Sequence, residues 1–150
     1  MHTDPRLSSY LSRALNHEMA AVQQYLLQAK LTEMWGLSTQ SAQFRRDVDE
    51  ELRHVERLME RMLVLGIPCN ATQLPPIRAG RTLEEMLQID RLIEIEAIRL
   101  YEEAELYCAR RRDKETQALM HAILQDELGH LKELEEQLSG LLNGRVSYGS

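Results

Sequence analysis

Six residues have the types and spacing for shared chemistry: Glu18, Glu51, His54, Glu94, Glu127 and His130. Glu51 and His54 form a Glu-x-x-His pair, and Glu127 and His130 form a second. Residues three apart face the same way on a helix, so each pair can offer one cation a carboxylate and an imidazole. A lone pair of this kind is a weak signal in a chain so rich in glutamate. The spacing strengthens it. Glu18 lies 33 residues before Glu51, and Glu94 lies the same 33 before Glu127. The set Glu18, Glu51, His54 therefore recurs as Glu94, Glu127, His130 after a shift of 76, which also carries Tyr25 onto Tyr101. Buried together, four carboxylates would repel one another at a cost of several kcal/mol each. Two divalent cations neutralise them, and two imidazoles complete the coordination. The near-twofold pattern assigns Glu18 with His54 to one metal and Glu94 with His130 to the other, bridged by Glu51 and Glu127. A carboxylate-rich set with two imidazoles and no thiolate favours iron, with manganese the alternative, over structural zinc.

Four helices must position these groups. Asp4-Pro5 reads as an N-cap with proline at the first helical position, opening a helix that reaches about Trp35 and breaks at Gly36. Ser38 is expected to cap a second helix, ending near Leu65 before Gly66. Thr82 and Glu85 form a capping box for a third, which runs to about Arg111. A break near Asp113 precedes a fourth, expected to end near Gly140. The first and third joints are short and demand antiparallel hairpins. Between the hairpins, the 16 residues Gly66 to Arg81 hold three of the four prolines. Extended, that segment spans up to about 53 Å, more than the roughly 42 Å length of such a helix. The second and third helices can then run parallel, joined by a long crossover. Each helix carries an apolar stripe at spacings of three and four, and a glutamate interrupts every stripe near its middle. Those four glutamates are the ones named above.

Composition limits the alternatives. With 150 residues, 43% of them hydrophobic, the chain suits one domain, residues 1–150, with one core. A net charge of −6 leaves no basic footprint for nucleic acid and suits cationic partners. No apolar run approaches a membrane span, and the N-terminus lacks a basic-then-apolar signal. Cys69 and Cys108 are isolated thiols that fit a reducing cytoplasmic setting. His17 falls on a different face from Glu18, His121 lies off its stripe with no identified partner, and His2 sits at the frayed start.

Glu18, Glu51-x-x-His54, Glu94 and Glu127-x-x-His130 resemble the ferroxidase ligand set of bacterioferritin. The resemblance covers nearly the whole chain, including Asn16-His17-Glu18, Gln24-Tyr25, Trp35-Gly36-Leu37 and Asp126-Glu127-x-Gly129-His130. It implies an all-α, ferritin-like four-helix bundle with the one long crossover. It further implies a ferroxidase that binds two Fe(II), oxidises them with dioxygen or peroxide, and stores ferric mineral in a homo-oligomeric shell of up to 24 subunits built from dimers. Tyr25 matches a family tyrosine beside the metals that could supply an electron; core packing is its other role. The sequence departs from the family twice. Bacterioferritins hold haem between paired subunits through a methionine directly after the first Glu-x-x-His glutamate, and Leu52 stands there. A homo-oligomer is therefore expected to bind no haem in that way, unless a haem-binding sister subunit joins the shell. After Leu141 only nine residues follow, where the family has a further short helix lining shell channels. That short tail, Asn143 to Ser150, has poor helix propensity.

Two other classes of function compete. A small oxygenase or manganese catalase would keep the dinuclear site but needs extra elements around a substrate cavity. A metal-free helical interaction module would leave the mid-core glutamates unexplained, and chelators would not change its stability.

Overall fold

Capping chemistry sets the helix boundaries. In the computed structural model, which describes residues 4–148, the Asp4 side chain accepts the Arg6 N–H at 3.0 Å and Pro5 opens α1 (Pro5–Met34). Thr82 accepts the Glu85 N–H at 3.1 Å to open α3 (Leu83–Arg110). Asp113 accepts the Thr116 N–H at 3.1 Å at the head of α4 (Lys114–Tyr148). Gly66, at φ 73°, ends α2 (Ser38–Leu65) in the left-handed conformation that glycine adopts without strain. No strand occurs among the described residues. His2 lies outside them, as do the last two residues of the tail.

Two boundaries differ from expectation. Ser38 does not cap α2; it is the first helical residue, and Leu37 occupies the cap without a side-chain bond. The Leu37 N–H closes the end of α1 on the Thr32 carbonyl at 2.8 Å through Gly36 at φ 80°, so the boundary falls one residue early. Ser41 secures that end instead, donating its hydroxyl to the Ala29 carbonyl at 2.7 Å. The second difference is larger. α4 does not stop near Gly140 but continues through Asn143 and Gly144 to Tyr148. Glycine costs a helix interior about 1 kcal/mol relative to alanine. Extending an existing helix still adds one hydrogen bond per residue without a new nucleus, so poor propensity alone does not end it.

The register follows from contacts between helices. Arg45 on α2 reaches Glu33 on α1 near the first turn, and His54 lies against Glu18 farther along, so the two run antiparallel. Tyr25 meets Glu94 while Tyr101 meets Glu18, making α1 antiparallel to α3. His130 meets Glu50 while Arg61 meets Glu115, making α2 antiparallel to α4. The crossover runs beside α1: Asn16 accepts the Gln73 N–H at 2.8 Å, and Gln24 accepts the Arg78 N–H at 3.1 Å and donates to the Arg78 carbonyl at 2.6 Å. This is the four-helix bundle with one crossover that the loop lengths predict. Two apolar clusters fill it, one around Leu11, Leu58, Met62, Met120 and Ile123, the other around Ala29, Phe44, Met86, Leu87 and Leu134. The named glutamates lie between them. No described helix is long and apolar enough to cross a membrane.

Candidate metal centre

Each helix contributes one glutamate to a single buried space. Glu18, Glu51, Glu94 and Glu127 are at most 1% exposed, and His54 is 2% exposed. Only His130 keeps some contact with the surface, at 11% of its side chain. Both histidines turn Nδ1 inward. His54 Nδ1 lies 3.5 Å from Glu18 Oε2, 3.4 Å from Glu51 Oε2 and 3.1 Å from Glu127 Oε1. His130 Nδ1 lies 3.4 Å from Glu51 Oε1, 3.8 Å from Glu94 Oε1 and 3.4 Å from Glu127 Oε2. Glu51 and Glu127 thus direct one oxygen to each histidine. Two four-residue groups result, Glu18, Glu51, His54, Glu127 and Glu51, Glu94, Glu127, His130, each with its potential ligand atoms within 4.8 Å of one another.

The twofold pattern extends to the hydrogen bonds that orient this set. Tyr25 on α1 donates to Glu94 Oε1 at 2.5 Å, and Tyr101 on α3 donates to Glu18 Oε1 at 2.6 Å. Each hairpin therefore holds the other's glutamate through a tyrosine. The remaining oxygens of those two glutamates, Glu18 Oε2 and Glu94 Oε2, are buried without a hydrogen-bond partner, as are Glu51 Oε1 and Glu127 Oε1. An unsatisfied buried acceptor costs about 1–3 kcal/mol, more when charged. Four converging ones fit a cation site.

Protons carry the balancing charge when no metal does. Burial and the neighbouring Glu51 carboxylate push Glu18 up to about 8. Burial and Glu127 raise Glu94 well above the usual carboxylate range, and burial with Glu18 and Glu51 raises Glu127. Burial also works against Glu51, but the close approach of Glu18, His130 and His54 outweighs it and holds Glu51 below its ordinary value. Burial alone would lower both histidines. The surrounding carboxylates, Glu127 foremost, overcome that and raise them far above 6.5.

The ferritin-like domain family matches residues 8–142. The chain belongs to that family. Within it, the chain is 34% identical to bacterioferritin from Rhodobacter capsulatus over 139 residues, covering 93% of this chain and 86% of that one. It is 38% identical to bacterioferritin from Streptomyces coelicolor over 140 residues, covering 92% and 83% of the two chains. A solved structure of the R. capsulatus bacterioferritin, described as having a metal-free dinuclear site and haem iron on a crystallographic special position, superposes with a TM-score of 0.89. That comparison covers 93% of this chain and 87% of the other. Iron storage is the function that membership of the bacterioferritins carries.

Two residues of this bacterioferritin-like centre escaped the sequence analysis. Asp126 Oδ2 lies 2.8 Å from His54 Nε2, and Glu50 Oε2 lies 2.7 Å from His130 Nε2. The Asp126 hydrogen bond fixes the tautomer and ring orientation of His54 and leaves its Nδ1 free to coordinate, whereas Glu50 is an ion-pair contact and His130 Nε2 makes no hydrogen bond. The signal was present, since the 76-residue shift carries Glu50 onto Asp126. His121, for which the sequence offered no partner, pairs with Glu105 on α3 at 2.9 Å, away from the centre. Leu52, 39% exposed beside Glu51, is on the outer side of α2.

Proposed function

We propose that this chain is a ferroxidase. It oxidises Fe(II) to Fe(III) at a centre of two iron ions within each subunit and stores the ferric product inside an oligomeric shell. Fe(II) is the substrate and dioxygen or peroxide the oxidant. Glu18 and His54 bind one iron, Glu94 and His130 the other, and Glu51 and Glu127 bridge them. The observation that carries this assignment is the split of Glu51 and Glu127, each with one oxygen towards either histidine. Two iron ions held by shared carboxylates can each give one electron to the same oxidant. The Tyr25 hydroxyl donates a hydrogen bond to Glu94, which can receive the proton if the phenol supplies an electron.

Space at the centre argues against an organic substrate. The cavity that meets Tyr25 and His130 has a volume of about 20 Å³, near the minimum for one water molecule. A small oxygenase would need several times that. The family's oligomeric habit supports a homo-oligomer of up to 24 subunits, and the two free thiols, Cys69 and Cys108, fit a cytoplasmic setting.

The decisive test is an aerobic Fe(II) titration of the metal-free protein. A fast ferric phase saturating at about two irons per chain is expected, followed by slower uptake as mineral grows. Glu127→Ala removes a bridge and should abolish the fast phase. Its survival in that variant would sink the ferroxidase assignment and favour another metal or a metal-free bundle.

Leu52 leads to a separate expectation. A thioether-free position offers haem iron no axial ligand, so homo-oligomer produced with ample haem should contain almost none in a pyridine haemochrome assay. About one haem per two subunits would overturn this.

A further inference from the structure

The shift of 76 residues superposes the two hairpins in sequence, but the two ends of the bundle are not alike. At one end Leu58, Met120 and Ile123 are fully buried. Arg61 closes that end, bonding Thr116 Oγ1 at 2.9 Å and Glu115 Oε2 at 2.7 Å. At the other end the equivalent positions hold Leu134, Phe44 and Asp47, with Gln137 in place of Arg61 and Gly140 in place of Val64. There the structure opens a cleft of about 220 Å³, walled by Phe44, Leu83, Leu87, Leu134 and Leu141. Gln43, Asp47, Leu134 and Gln137 line both this cleft and the small cavity that reaches Tyr25 and His130. The cleft is therefore continuous in its lining with the metal centre on the His130 side.

We propose that this cleft is the route by which dioxygen reaches the centre. The occupant follows from the walls and the width. The walls that Phe44 and the four leucines form favour an apolar molecule, while Gln40, Gln43, Asp47 and Gln137 are the cleft's polar positions. The inner cavity, large enough for about one water, passes a diatomic gas and stops organic molecules. A groove on the α2–α4 face, bearing Asp49, Glu50, Glu133 and Glu136 beside Arg46 and Arg53, shares Gln43, Asp47 and Gln137 with the cleft. Dioxygen entering by the cleft arrives first on the His130 side of the centre. This route rests on the ferroxidase assignment above.

Xenon, an apolar probe of similar size, tests it together with Gly140→Met. A Cβ at Gly140 meets nothing within 4 Å, and Gly140 lines the cleft. The substitution replaces a poor helix former with a good one and fills the opening from its rim. Crystals of the unmodified protein under xenon pressure should show the gas in the cleft, and crystals of the variant should not. In stopped-flow experiments on Fe(II)-loaded protein, the second-order rate constant in dioxygen should fall by about tenfold or more in the variant. Anaerobic Co(II) binding should stay at about two ions per chain in both proteins. An empty cleft under xenon, or an unchanged dioxygen dependence in the plugged variant, overturns the route while Co(II) binding leaves the metal centre standing. Failure of Co(II) to bind the unmodified protein overturns both.

Discussion

Anaerobic binding of two divalent metal ions per chain at pH 7 is expected to release about four protons. The donors are His54, His130, Glu18 and Glu94, which the metal-free protein keeps protonated. Glu18 does so because burial and Glu51 push it up to about 8, and Glu94 because burial and Glu127 raise it well above the usual range. The histidines do so because the carboxylates around them outweigh burial. The charge balance is consistent. Two imidazolium ions and two remaining carboxylates already make the centre neutral, so the metals displace protons rather than add charge. Affinity must therefore rise with pH, by up to about two tenfold steps per metal for each pH unit while all four groups are protonated. Calorimetric titration of Co(II) in buffers of different ionisation enthalpy gives the proton count directly. A release of one proton or none would mean that the histidines are neutral before metal arrives.

How much of this was legible in the sequence depends on the range of the signal. The helices and crossover were legible because Asp4, Pro5, Gly66 and Thr82 act locally, and because loop length alone distinguishes a hairpin from a crossover. The six central residues were legible because buried glutamates on apolar stripes are costly, and the 76-residue shift showed that they recur. Glu50 and Asp126 were not, because surface carboxylates are common and nothing local marks one as a histidine's partner. His121 with Glu105 is the same case, a pair made across two helices. The far end of α4 was misread because the propensities of Gly140 and Gly144 carry less weight than a helix already under way. The cleft was hidden for a different reason. Phe44, Asp47 and Gly140 differ from Met120, Ile123 and Val64 in any alignment of the halves, but only the register between helices turns those differences into a gap.

Metal binding should raise the thermal midpoint by about 15–30 °C at saturating Zn(II) or Co(II) under anaerobic conditions. A ligand at 1,000 times its dissociation constant adds about 4 kcal/mol per site, so two sites add about 8. For a chain of this size each kcal/mol moves the midpoint by about 2–4 °C. The gain should grow with pH, and the sign can be worked out from the groups concerned. Glu18, raised from 4.5 to about 8, and the two histidines, raised from 6.5, contribute stability that is complete below those unfolded values. That contribution is lost as pH rises from the unfolded towards the folded values, so it is nearly gone for Glu18 above about 8 while the histidines still lose theirs. The metal-free protein should therefore weaken between pH 6 and 9. The loaded protein holds the same groups deprotonated on metal and should not weaken in step. Calorimetric scans with metal and with chelator, at pH 6, 7.5 and 9, measure both trends. Glu51→Ala, which removes a group shared by both half-sites, should lose most of the gain at every pH. If chelator and metal give the same midpoint, the four mid-core glutamates are not a metal site and the bundle is a metal-free scaffold.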